Sequence, residues 1–109
     1  MKNSALNGKS VKFLAQVPED VLPLVPGFLM RREVELVEIK SHLQSGDYDF
    51  IRMIGHRLRG SGAGYGLVEF TNFGKALEEA AIIHDHQQLA ITIKELQDFV
   101  FLVKNELAE

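Results

Sequence analysis

Between Pro26 and Leu107 apolar side chains return every three or four residues, and only short polar breaks interrupt the rhythm. That spacing marks one face of an α-helix and does not fit the strict alternation of a half-buried strand. The first run carries Leu29, Leu36, Ile39 and Leu43, widened by Phe28, Val34 and Val37, with Arg31, Arg32, Glu33, Glu35, Glu38 and Lys40 on the remaining face. It predicts a helix over 26–45. Gly46 stands where a left-handed C-terminal residue is expected, and Asp47 where the next helix needs a cap.

The second run, 47–63, sets Phe50, Ile54, Leu58 and Ser61 in one row beside Ile51. The third, 67–84, aligns Leu67, Phe70, Gly74, Leu77, Ala81 and His84, flanked by Phe73 and Ala80. Asp85 to Gln88 read as a polar break, after which Leu89, Ile93, Leu96, Phe99 or Val100, Val103 and Leu107 define a last helix. Upstream, Pro18, Pro23 and Pro26 preclude one long helix, but Pro18 followed by Glu19 and Asp20 suits a first helical turn. A one- to two-turn helix is expected over 18–24, with a new start at Pro26. Connections this short join antiparallel neighbours. The expected fold is therefore all-α: an antiparallel up-down-up-down four-helix bundle with a short extra N-terminal helix. Residues 1–10 read as a flexible leader and 11–109 as a single domain, with the segment from Val11 to Val17 packing on a bundle end.

At 109 residues, one core is affordable and two are not. The formal charge of -3 leaves no footprint for nucleic acid. With no cysteine, thiol nucleophiles and zinc–thiolate sites are excluded. No apolar run approaches the roughly 20 residues that cross a bilayer, so a cytoplasmic chain without membrane insertion is expected. A monomer is expected too, since the bundle can bury its own stripes. His84 and His86 are two apart and would diverge on a helix, so no metal site is expected.

One segment resists a purely structural explanation. Residues 55–66 run Gly-His-Arg-Leu-Arg-Gly-Ser-Gly-Ala-Gly-Tyr-Gly, although each interior glycine costs a helix roughly 0.5–1 kcal/mol relative to alanine. At about 100° per residue His56 lies about 200° from both Ile54 and Leu58, and so points away from the core row. Arg52, Arg59 and Gly60 share its face. An exposed imidazole offers a free ring nitrogen near neutral pH. Guanidinium groups suit phosphate oxygens, and a missing side chain lets an electrophile come close. The chain has neither a GxxxxGK[ST] loop nor a kinase-type glycine loop. The pattern points to a phosphoryl acceptor that borrows catalysis from a partner.

His56-Arg57-Leu58-Arg59-Gly60-Ser61, with Gly66 ten residues after the histidine, resembles the histidine-containing phosphotransfer (HPt) family, whose pattern is H-x-L-K-G-S followed by a glycine at that spacing. The resemblance covers roughly residues 18–107. It implies that His56 is the phosphorylated nucleophile, modified on the ring nitrogen remote from the backbone. It sets Arg59 at the usual lysine position as the phosphate-stabilising cation, and Gly60 and Gly66 at the family's glycines. It also sets Glu78 where the neighbouring helix often carries Gln or Glu. Arg52 is a further supporting candidate. The implied partners are receiver domains of hybrid histidine kinases and response regulators. Magnesium is expected on the partner receiver, with no cofactor bound by this chain. Two readings compete: a phosphohistidine phosphatase, which would need a second acid, base or ligand cluster, and a non-catalytic helical adaptor.

Overall fold

The computed structural model describes residues 12–109, so the leader expected over 1–10 lies outside the described residues. The described chain is all-helical, without strands, and holds four α-helices: α1 (Val25–Gln44), α2 (Tyr48–Ser61), α3 (Val68–Ile82) and α4 (His86–Leu107). Each helix packs on the next and α4 closes against α1, giving a small helical bundle in which α2 and α3 make the closest pair.

The junctions between helices are built by the same local chemistry twice. After α1, Gly46 takes the left-handed conformation at φ 74°. Its N–H donates to the Leu43 carbonyl at 3.1 Å, and Asp47 N–H donates to the His42 carbonyl at 2.8 Å. Those two bonds satisfy the last carbonyls of α1, and the Asp47 carboxylate then accepts from Phe50 N–H at 3.2 Å to start α2. After α3 the pattern repeats with His84 in the left-handed position at φ 56°. His84 N–H donates to the Ala81 carbonyl, and Asp85 N–H to that of Ala80. The Asp85 carboxylate caps α4 through Gln88 N–H at 3.0 Å. The sequence placed His84 on the face of a helix reaching residue 84; the chain instead leaves α3 at Ile82, and of the expected polar break over 85–88 Asp85 caps α4 while residues 86–88 already belong to it.

Two other boundaries differ from expectation. The helix predicted over 18–24 is a turn, in which Val21 and Leu22 N–H both donate to the Pro18 carbonyl, followed by a 3-10 turn at Leu22–Leu24. Pro23 has no N–H to continue an α ladder there, and the turn runs straight into α1 at Val25, with Pro26 in the first turn. The helix predicted over 47–63 ends at Ser61, where the chain tightens into a 3-10 turn, Gly62–Tyr65, closed by Gly66 at φ 72°. A side chain at Gly66 would meet the Gln16 carbonyl and Pro18, so this glycine seats the N-terminal segment. That segment is also held at Phe13 and Leu14, whose N–H groups donate to the Glu106 carboxylate at 2.8 and 3.0 Å, while the Phe13 ring packs edge-on against Phe99.

The core follows the predicted stripes of α2, α3 and α4, where Ile51, Ile54, Leu58, Phe70, Leu77, Leu89, Ile93, Leu96 and Val103 are buried. On α1 the stripe is rotated relative to expectation. Val34 and Val37 are 61% and 70% exposed, whereas Arg32, assigned to the wet face, is buried at 8%. Its guanidinium lies 4.5 Å from the centre of the Phe28 ring and pairs with Glu35, so its charge enters the groove already partnered.

Candidate functional site

His56 sits past the middle of α2, on the side that faces α3 at its rim. Its side chain is 68% exposed, while Glu78 on α3 is only 13% exposed. The His56 Nδ1 lies 3.0 Å from Glu78 Oε2. The other carboxylate oxygen, Oε1, accepts from Arg59 Nη1 at 2.9 Å. One carboxylate thus bridges the imidazole and the guanidinium, and Glu79 beside it is exposed.

The charge state of Glu78 fixes the histidine tautomer. The Arg59 guanidinium holds its carboxyl below the usual carboxylate range; partial burial opposes that shift and the His56 contact adds to it. An ionised carboxylate can only accept, so Nδ1 carries the proton and donates. In the neutral ring the lone pair is then on Nε2, the nitrogen remote from the backbone, on a side chain that is largely exposed. Gly60, one turn further on, has nothing within 4 Å of where a Cβ would sit, so the approach to the ring is open on this side.

The proximity of Glu78 depends on glycines that the sequence reading did not assign to the site. A Cβ at Gly55 would lie 2.8 Å from both Glu78 N and the Gly74 carbonyl oxygen. A Cβ at Gly74 would lie 2.6 Å from the Gly55 carbonyl oxygen and 2.8 Å from Arg59 Cα. The two helix backbones therefore touch at the level of His56, and the short Glu78 side chain reaches across. The readable signal was a glycine directly before the histidine and another inside the facing helix, at a cost in helix propensity that packing alone explains.

The remaining candidates are dispersed. No ion pair or side-chain hydrogen bond among the described residues joins Arg52 to His56 or Glu78. Arg57 turns to the other side of α2, 3.8 Å from Glu35 on α1. Gly66 serves the N-terminal contact described above rather than the His56 face. His42 is stacked on Phe50 at 3.7 Å between ring centres. His84 stacks on Tyr48, whose hydroxyl lies 3.1 Å from His86 Nδ1. Among the described residues no group of three or more His, Cys, Asp or Glu is placed to hold a metal, and no helix is long and apolar enough to cross a membrane. No family model, curated protein or solved structure matches the chain.

Proposed function

We propose that this chain is a histidine phosphotransfer module of a two-component phosphorelay, in which His56 accepts a phosphoryl group from a receiver-domain aspartate and passes it to another receiver. The observation that carries the reading is the Glu78 bridge: it fixes the proton on Nδ1 and leaves an exposed nucleophilic Nε2 beside an arginine. In the forward step Nε2 attacks phosphorus, the N–P bond forms, and the P–O bond to the aspartyl carboxylate breaks. The aspartate leaves as carboxylate. The ring keeps its Nδ1 proton and becomes a cation, which the Glu78 charge offsets. Arg59, one turn along, is the cation within reach of the transferred group, so it exchanges Glu78 for phosphoryl oxygens.

The receiver supplies magnesium and the rest of the electrostatic stabilisation, since positioning and charge lower most of the barrier to phosphoryl transfer. Partner approach is along the crest of α2, where Met53 is 41% exposed one turn before His56 and Gly60 leaves a gap one turn after. Short helix junctions, 45–47, 62–67 and 83–85, and contacts running in order around the bundle support an up-down-up-down topology. A monomer in the cytoplasm, among its receiver partners, completes the reading.

The test mixes the purified chain with a phosphorylated receiver and magnesium. Acid-labile, alkali-stable label on His56, lost in His56→Gln with unchanged helicity, is the expected result. Label retained in His56→Gln overturns the assignment. Release of free phosphate points to the phosphatase, and absence of both label and release to the adaptor.

A further inference from the structure

On the side of α2 away from Glu78, a groove of about 430 Å³ runs between α1 and α2. Arg31 and Arg32 line it from α1, Arg57 from α2, and Tyr65 from the 3-10 turn that follows. Glu35 is the single carboxylate in the lining, so the groove carries three guanidinium groups against one negative charge, in a chain whose formal charge is -3. Local charge inversion of this kind concentrates anions irrespective of the overall balance.

The donors there are incompletely used. Glu35 is committed to Arg32, with Oε1 2.8 Å from Nε and Oε2 accepting from Nη2 at 3.1 Å. The Nε contact is close but out of line for a hydrogen bond, so the N–H of that buried nitrogen lacks an aligned acceptor. Arg57 reaches Glu35 only at 3.8 Å, beyond hydrogen-bonding distance. Arg31 donates to the Tyr65 hydroxyl at a long 3.4 Å, and that hydroxyl still has its own proton to give. Arg31 and Arg57 are exposed and face the groove from opposite helices.

From this we infer that the groove between α1 and α2 is an anion-binding site for phosphate-class oxyanions of two or more negative charges, with Arg31 and Arg57 closing on the ligand from opposite sides and the Tyr65 hydroxyl as a third donor. Guanidinium pairs match the geometry of phosphate oxygens, and a doubly charged ligand balances the excess of two positive charges. The site is separate from His56 and does not depend on its chemistry. Arg59 and Glu78 lie on the other flank of α2 and are not part of the lining.

The experiment is a titration of the 15N-labelled full chain with inorganic pyrophosphate and, separately, inorganic phosphate, at ionic strength held constant with sodium chloride so that general screening does not change. Saturable shifts of the Arg31, Arg57 and Tyr65 resonances are expected, tighter for pyrophosphate than for phosphate. Removing each guanidinium should weaken binding about tenfold, so R31A/R57A should lose saturable binding altogether. His56→Gln and R59A should bind as wild type, which separates this site from the proposed phosphoryl acceptor. Linear, unsaturating shifts overturn the inference. So does saturation that survives R31A/R57A, or that disappears in R59A. Both mutated arginines are exposed, and a far-ultraviolet circular dichroism spectrum matching wild type establishes that R31A/R57A is folded.

Discussion

Replacing Gly74 by alanine tests the central geometric claim, that contact between the backbones of α2 and α3 is what brings Glu78 to His56. The new Cβ would stand 2.6 Å from the Gly55 carbonyl oxygen, whereas an ordinary carbon–oxygen contact needs about 3.3 Å. The helices must separate by at least about 0.7 Å locally, because the opposing atoms, of which the Arg59 backbone nitrogen is nearer still, are backbone and cannot rotate away. The same displacement applied to the 3.0 Å contact between His56 Nδ1 and Glu78 takes it to about 3.7 Å or more, outside hydrogen-bonding range. Two effects on stability compete. Alanine in a helix interior is worth about 1 kcal/mol over glycine, while overpacking a tight contact costs about 1–3 kcal/mol. With backbone on both sides the steric cost wins, and Gly74→Ala should be destabilised by about 1–2 kcal/mol in urea unfolding. The 15N shifts of the His56 ring should move from a fixed Nδ1–H tautomer towards a mixture. Gly55→Ala should do the same from the opposite helix, and the double variant should cost less than the sum, since the helices need to part only once. A Gly74→Ala protein as stable as wild type, with an unchanged His56 tautomer, would refute the reasoning.

Gly60→Ala is the converse case: with open space around it, stability should rise by up to about 1 kcal/mol by thermal melting, while phosphotransfer from a receiver slows because a methyl group stands one turn from Nε2. Asp85→Ala and Asp47→Ala should each lower stability by about 1 kcal/mol, read as equal shifts in urea midpoint, since both carboxylates cap a helix with the same geometry. Glu78 is held below its ordinary pKa chiefly by Arg59, so its contribution is fully present above the unfolded-state value near 4.3 and is lost as pH falls through the depressed folded value. The stability advantage of wild type over Glu78→Gln should therefore be constant near neutrality and vanish on acidification below that range; an advantage that persists at low pH contradicts the ion-pair account. Arg59→Ala should remove the largest part of the downward pull on Glu78 and shorten the lifetime of phosphohistidine, followed by loss of label over time.

Much of the scaffold was legible because its signals are local. Gly46-Asp47 announces a stop and a start in two residues, and the apolar stripes of α2 to α4 lie where their spacing put them. The second junction was hidden because histidine fills the left-handed position at residue 84, where glycine would have been the readable choice. The rotation of α1 was hidden for a different reason. Arg32 reads as a surface charge until a phenyl ring and a carboxylate on its own helix are known to face it. At the site, phase alone pointed His56 outward. The bridging role of Glu78 and the diversion of Arg57 to Glu35 depend on how two helix pairs approach one another, which no single helix encodes.

The glycine contact between α2 and α3 also decides how this protein can change over evolutionary time. His56, Glu78 and Arg59 all belong to the adjoining helices α2 and α3, and the contacts that join them are made within that pair. The outer faces of α1 and α4, where Val34, Val37 and Phe101 stand in solvent, contribute nothing to that alignment. Substitutions there can alter what the molecule adheres to, or how readily it dissolves, without moving the His56 ring. The contacts that hold His56 and the apolar side chains exposed on α1 and α4 are therefore physically separate in this fold.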